Sequence, residues 1–469
     1  MSVRKTTRRE FLTHVGATGV GLMALGSLPL LADNEKRPNI VFIISDDHRW
    51  NVMSCMGHPF IKTPNMDRLA KEGVRLSNTF VTTSLCSPSR ACFLTSKYVH
   101  LHGVRNNSTP FPTDKQTTFP QLLQKSGYET AFIGKWHMDG QIDVQPGFDR
   151  WASFKAHGTY IDPVFIIDGN RKPQKGYMTD LLTTYAVNWL KKRKADKPFL
   201  LYLAHKAPHV NCTPAERHAN LYADAKITPP ANSKDTLEGK PAWQKKWPSL
   251  AHSPVLQKGE AAYREAVLNY CRTVTGIDDS IGEVLKTLEA TGKLENTIVI
   301  YCSDNGYYHG DHGMWDKRSA YDESLRIPFL IRFPKMVKPG SVLDKMVLSI
   351  DLAPTLLDIA GVKAPSDMQG RSFRPLLEGK PTEWREDYLY EYFQEKNFAY
   401  TPTTLAVRTT DWKYVEYPEI DDIPELYDLK NDPTEMHNLA QDPKQSAKLA
   451  EMKQRMERLK KETKYPEGT

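Results

Sequence analysis

Four short runs of consecutive apolar residues stand out along the chain, and each stops abruptly at charged or metal-ligating side chains. "NIVFIIS", Asn39 to Ser45, runs into Asp46 and Asp47, and "YETAFIG" runs into Lys135 and His137. "KPFLLYLA" leads to His205 and His209, and "NTIVIYCS" to Asp304 and Asn305. The apolar residues are continuous rather than alternating, so each run predicts a β-strand covered on both faces. Helical patterns lie between the runs. "TPNMDRLAKEGV" places Thr63 at a helix N-cap and Pro64 at the first helical position. In "YREAVLNYCRTVTGIDDSIGEVLKTLEATGKL", Val267, Tyr270, Val274, Ile277, Ile281, Val284 and Leu288 make the stripe of a long amphipathic helix.

Alternation of strand and helix predicts an α/β fold, an open and largely parallel sheet with helices on both faces. Such sheets bind ligands beyond the carboxyl ends of their strands, where the polar groups of all four runs stand. From about residue 380 the pattern changes. "DYLYEYF", "TTLAVRTTDWKYVEY" and "ELYDL" read as short, alternating, tyrosine-rich strands, followed by a charged helix from roughly Lys444 to Lys461. The stretch Ile227 to Lys258, rich in Pro, Lys and Trp, reads as an irregular insertion. The expected organisation is a targeting segment over 1–32, a catalytic domain over 33–380, and a small antiparallel sheet with a closing helix over 381–469.

The targeting segment, "TTRREFLTHVGATGVGLMALGSLPLLA", has paired arginines, Arg8 and Arg9, ahead of a short, glycine-rich, weakly apolar stretch. That is the pattern of a twin-arginine export signal. It predicts the twin-arginine machinery as a partner and a periplasmic or extracellular destination. Cleavage near Ala32 would remove Arg4, Lys5, Arg8, Arg9 and Glu10, a net +3 of the total +7. The remaining body is mildly basic, which suits an anionic substrate, and it has no concentrated basic stripe for nucleic acid. Six scattered cysteines without a CxxC pair argue against a disulfide scaffold or a structural zinc site. "HGDH", His309 to His312, lacks the second ligand cluster that zinc would need.

One further stretch, "SLCSPSRACFLTSKY" from Ser84 to Tyr98, carries a cysteine at the start of a helical run. Ser87 can cap that helix and Pro88 suits its first turn. Cys86 is then either a buried, inert cysteine or a thiol acidified by the unpaired N–H groups and dipole of the helix start. Arg90 lies one turn further on.

The pentad Cys86-Ser87-Pro88-Ser89-Arg90 resembles the C-x-P-x-R signature of the type I sulfatases, in the alkaline phosphatase-like superfamily. "NIVFIISDDH", "TPNMDRLAKEGVRLSNTFV", "GKWH", "APH", "SDNGYYHGDHGMWDKRSAYDESLRIPFLIR" and "ELYDLKNDPTEMHNLA" fall in that family's order and spacing. The resemblance implies that Cys86 is oxidised to Cα-formylglycine by the cell's formylglycine-generating machinery. One hydroxyl of the aldehyde hydrate attacks sulfur and the other drives sulfate release. It implies one divalent cation held by Asp46, Asp47, Asp304, Asn305 and residue 86; an all-oxygen set favours Ca²⁺, with Mg²⁺ as the alternative. Arg90 would hold the hydrate, and Lys135 and Lys317 would clamp the sulfate. His137 would take the proton from the second hydroxyl, and His209, with Lys317, would protonate the leaving oxygen. His205 is a weaker candidate, since a strand-end histidine often hydrogen-bonds backbone. "CSPSRACFLTSKYVHLHGVRNN", "REDYLYEYF" and "AVRTTDWKYVEY" resemble N-acetylglucosamine-6-sulfatases and related glycan sulfatases, which implies a sulfated carbohydrate as substrate. The rivals are a phosphodiester or phosphonate monoester hydrolase of the same superfamily and a non-catalytic glycan-binding relative. Carboxylates for one metal speak against a two-metal phosphatase, and the full transfer set speaks against a retired fold.

Overall fold

The computed structural model describes residues 37–138, 142–193, 197–246 and 258–466. The expected targeting segment lies outside them, as does part of the insertion. Residues Pro38–Thr469 form one compact unit. In chain order its strands are β1 (Asn39–Ser45), β2 (Val74–Leu76), β3 (Thr79–Phe80), β4 (Glu129–Gly134), β5 (Arg150–Ser153), β6 (Val164–Ile167), β7 (Asn170–Pro173) and β8 (Phe199–Ala204). They continue with β9 (Thr297–Ser303), β10 (Phe329–Arg332), β11 (Ser341–Leu343), β12 (Val347–Leu348), β13 (Asp387–Tyr392), β14 (Thr404–Thr409), β15 (Trp412–Glu416) and β16 (Glu425–Asp428).

Ten of these build one sheet in the order β11-β2-β10-β9-β1-β8-β4-β5-β6-β7. The four apolar runs are its neighbouring central strands, β9, β1, β8 and β4, all parallel. Towards the edges the sheet becomes mixed, because β10 runs antiparallel to β9 and β2, and β6 to β5 and β7. Side chains alternate across it. Ile40, Phe42 and Ile44 join one apolar layer with the Cys86–Thr95 and Leu352–Ile359 helices, whereas Val41 and Ile43 join the other with the Pro64–Glu72, Met178–Lys192 and Glu260–Ala290 helices. Both faces are therefore covered, as continuous apolar strands require.

The register sets the site. Ser45 pairs with Ser303, Ile44 with Ala204, and Gly134 with Ala204. Asp46 and Asp304 therefore leave the sheet level with one another, one residue beyond Lys135 and His205.

Two local expectations are corrected. The helix Cys86–Thr95 begins at Cys86 itself, with extended Leu85 as its N-cap. Ser87 does not cap it, because its hydroxyl donates to the carbonyl of His137 at 2.5 Å. Thr63 does stand at the N-cap with Pro64 first, but the free N–H groups of Asn65 and Met66 are taken by Asp278 of the long helix, at 3.0 and 2.8 Å. The second correction concerns β13–β16. They form the expected antiparallel sheet closed by a helix, Ser446–Thr463. Yet β13 is buried at every position rather than at alternate ones, since Met452, Met456 and Leu459 of that helix join one cluster with Phe80, Leu85, Cys92 and Tyr98 around it. Among the described residues no helix is long and apolar enough to cross a membrane.

Candidate active site

Strand ends deliver the chemistry. Asp46 and Asp47 follow β1, Lys135 and His137 follow β4, His209 follows β8, and Asp304 and Asn305 follow β9. Cys86 enters from its helix start, fully buried, with Sγ 3.3 Å from Asp46 Oδ1 and 3.9 Å from Asp47 Oδ1. Lys317 Nζ lies 3.2 Å from the same sulfur and 2.6 Å from Asp47 Oδ2. Lys135 Nζ is paired with Asp46. Arg90 donates from Nε to Asp304 Oδ2 at 2.9 Å and from Nη1 to the carbonyl of Lys135 at 2.8 Å. Three carboxylates and three cations thus surround one sulfur. The turn after β4 is tight: a Cβ on Gly134 would lie 1.8 Å from the carbonyl oxygen of Ala204, so glycine alone fits. Asp47 and His137 adopt left-handed backbone, φ 67° and 64°, each at a cost on the order of 1–3 kcal/mol.

Electrostatics separate these groups into roles. Burial, then Asp46, pushes the Cys86 thiol well above its ordinary range, although Lys317 and Lys135 oppose this. The expectation of a thiol acidified by the helix start is therefore corrected: burial, together with two carboxylates within 4 Å, outweighs the dipole. Burial would raise Asp46, but Lys135 and Arg90 hold it well below the usual carboxylate range. Asp304 is pushed up to about 7 by burial and by the neighbouring charge of Asp46. Burial would deprotonate Lys317, but Asp47 keeps it cationic. Burial, reinforced by Lys135, keeps the His137 imidazole neutral. Burial also holds His209 neutral, against the pull of Asp46; its Nε2 is 3.7 Å from Asp47 Oδ2.

A cation fits this set. Asn305 Oδ1 is buried without a hydrogen-bond partner, beside three carboxylates that crowd one another. Asp46, Cys86 and Asp304 offer ligand atoms within 4.8 Å of one another. The carboxylate oxygens and Asn305 Oδ1 are the donors that suit a hard divalent ion.

Not every candidate converges here. His205 turns away and hydrogen-bonds Ser280 of the long helix through Nε2, at 3.1 Å. His312 is taken by Asp235 at 2.7 Å, and His309 stacks on Trp315 with ring centres 5.4 Å apart. Neither belongs to a potential metal cluster among the described residues.

Three groups that motif reading passed over do converge. His157, on the loop after β5, accepts from Lys135 Nζ through Nδ1 at 3.1 Å. Its ring lies 4.1 Å from that of His137 and 4.3 Å from that of His209. Left-handed Ala156 and Gly158 flank it, φ 50° and 57°, and only the glycine hints at this turn in the sequence. Asn107 Oδ1 accepts from the backbone N–H of Ser87 at 3.0 Å. Lys206 lies beside His209 and is buried.

Comparison with known proteins agrees with this geometry. A sulfatase family model matches residues 38–362, and a model of the N-sulphoglucosamine sulphohydrolase C-terminal region matches residues 310–462. The chain is 37% identical to an N-acetylglucosamine-6-O-sulfatase of Bacteroides thetaiotaomicron, over 92% of this chain and 88% of the relative. It is 30% identical to the N-acetylglucosamine-6-sulfatase of Homo sapiens, over 86% of this chain and 81% of that protein. A solved structure of a protein with its substrate D-glucosamine-2-N,6-O-disulfate matches with a TM-score of 0.85 and 36% identity, covering 92% of this chain and 99% of that one.

Proposed function

This chain belongs to the sulfatase family, and from that premise we propose that it hydrolyses the 6-O-sulfate ester of a glucosamine unit in a sulfated glycan. The observation that carries the reading is the enclosure of Cys86 by Asp46, Asp47 and Lys317 at the strand ends. The names of its relatives point to the sugar.

A formylglycine at position 86 would supply a hydrated aldehyde, with two hydroxyls on one carbon for attack on sulfur and for release of sulfate. Asp46, Asp47, Asp304 and Asn305 would hold one divalent cation, Ca²⁺ before Mg²⁺, which adds positive charge where sulfate oxygens gather. The other residues act directly. Arg90, anchored by Asp304 and the Lys135 carbonyl, keeps Nη2 without a hydrogen bond, 3.9 Å from Asp46 Oδ1, and offers it to an oxygen on residue 86. Lys135 and Lys317 present ammonium groups to the sulfate oxygens, an interaction that strengthens as charge develops. Lys317 stays protonated, so it can supply the proton that the leaving sugar oxygen needs, and neutral His209 beside Asp47 can orient that oxygen. His137 is neutral and next to Ser87, so it can accept a proton at residue 86.

The deciding experiment sets N-acetylglucosamine-6-sulfate against sugars sulfated elsewhere and against a phosphate diester. Mass spectrometry of the peptide bearing residue 86 accompanies it. Preferred turnover of the 6-sulfate with formylglycine at 86 is the expected result. Preference for the phosphate diester, or full activity with unmodified cysteine, overturns it. Arg8 and Arg9 support export through the twin-arginine route to the periplasm or beyond. Replacing both with lysine should hold active enzyme in the cytoplasm, and normal export of that variant would refute the route.

A further inference from the structure

After β8 the chain reads His205-Lys206-Ala207-Pro208-His209. His205 is occupied by Ser280 and His209 lines the site, which leaves Lys206 without a task. Its side chain is only 5% exposed, and it forms no ion pair among the described residues. Its ammonium lies over the face of Tyr160, 4.6 Å from the ring centre. The Tyr160 hydroxyl donates to the carbonyl of His209 at 2.7 Å, so Lys206, Tyr160 and His209 are packed as one group beside the site. Lys206 also feels the charges of Lys135, Asp46 and Asp47.

The site's charges make this cation conspicuous. Lys135 pairs with Asp46, Lys317 with Asp47, and Arg90 with Asp304. Lys206 is a fourth cation with no carboxylate left for it. Burial and Lys135 draw its pKa down to about 8, so it is still charged at neutral pH. Desolvating an unpaired ammonium costs more than one aromatic face returns. A positive charge kept in this way beside a site for an anionic sugar is balanced when an anion arrives with the substrate. The ester sulfate already meets Lys135 and Lys317.

We infer that Lys206, held over the face of Tyr160, is a second anion subsite that takes an acidic group of the substrate other than the sulfate being cleaved. This rests on the sulfatase reading above and narrows its substrate class to glycans carrying at least two anionic groups close together. The second group is either a sulfate on the same sugar ring or the carboxylate of an adjoining uronic acid.

Steady-state kinetics on three substrates test it: N-acetylglucosamine-6-sulfate, glucosamine-2-N,6-O-disulfate, and a disaccharide joining a uronic acid to N-acetylglucosamine-6-sulfate. At low salt the wild-type enzyme should favour one of the two dianionic substrates over the monoanionic one by roughly 10-fold or more in kcat/KM. That preference should shrink as salt rises. K206M keeps the apolar stem and should lose the preference, while K206R should keep part of it. Which dianionic substrate is preferred identifies the source of the second charge. Equal kcat/KM for all three in the wild type, or a parallel fall on all three in K206M, leaves Lys206 a packing residue and overturns the subsite. If the wild type turns over none of the three, the glycan sulfatase reading fails and takes the subsite with it.

Discussion

Asp322, Arg408, Lys413 and Glu435 form one buried cluster of charge at the C-terminal sheet; Asp46, Asp47, Asp304, Lys135, Lys317 and Arg90 form another at the strand ends. In the first, Lys413 Nζ lies 2.7 Å from both Asp322 Oδ1 and Glu435 Oε1. Arg408 holds Asp322 Oδ2 at 2.8 Å, and Glu435 Oε2 accepts from the Asp322 N–H at 2.8 Å. Their side-chain atoms are all partnered. In the second cluster Asn305 Oδ1 and Arg90 Nη2 make no hydrogen bond, although Nη2 lies 3.9 Å from Asp46 Oδ1. Left-handed backbone does not separate the two, since Glu435 has φ 55° much as Asp47 has 67°. Unfinished hydrogen bonding does. A closed ionic network holds a fold together, whereas one with buried vacancies in its bonding is shaped for something that joins later.

The sharpest way to break this contrast is Cys86→Ala. Turnover should fall at least about 10³-fold, to the background that binding alone supports, with the thermal midpoint nearly unchanged; residual activity near wild type would remove residue 86 from the chemistry. Next comes His137→Ala, for which a loss of about 10²–10⁴-fold in kcat is expected. Sulfated protein should accumulate in that variant, visible as added mass on the residue 86 peptide. Lys413→Met probes the other cluster. Stripping one partner from a buried network should cost about 3–5 kcal/mol by denaturant unfolding, with kcat of the folded molecules preserved; a kcat loss without destabilisation would erase the distinction. The smallest effect is a stability gain. Ca²⁺ added to chelated protein at about 100 times its Kd should stabilise the fold by about 2.7 kcal/mol. That gain should vanish in Asp304→Asn and survive in Lys413→Met.

Much of the site was legible because a parallel sheet writes its active edge into the sequence. A strand covered on both faces must be apolar throughout, so the first charged residue after each run marks the mouth. Asp46, Lys135 and Asp304 were readable in this way. His205 obeyed the same rule and still turned away, since which side of the sheet a strand-end residue takes depends on its neighbours. His157 was not legible, because its position depends on two left-handed residues, and only Gly158 is of a type that announces them. The true environment of Cys86 was hidden for a related reason. Helix position is local, whereas the burial and the carboxylates that raise its pKa come from elements distant in sequence. The burial of β13 on both faces was likewise set by a helix about sixty residues downstream.

That separation along the chain also acts as a clock. Cys86 and Lys317 touch in the finished protein but stand 231 residues apart. At roughly 5–20 residues per second of synthesis, residue 86 exists for about 10 to 50 seconds before the lysine that shuts it in has been made. β9 and Asp304 arrive only slightly earlier. The proposed conversion of residue 86 would therefore take place on an open, incomplete chain, and the opportunity would close once the last strand docks. A ribosome that slows before residue 300 lengthens that interval and should raise the fraction of edited molecules. Purified enzyme that folded unedited should resist repair until it is unfolded.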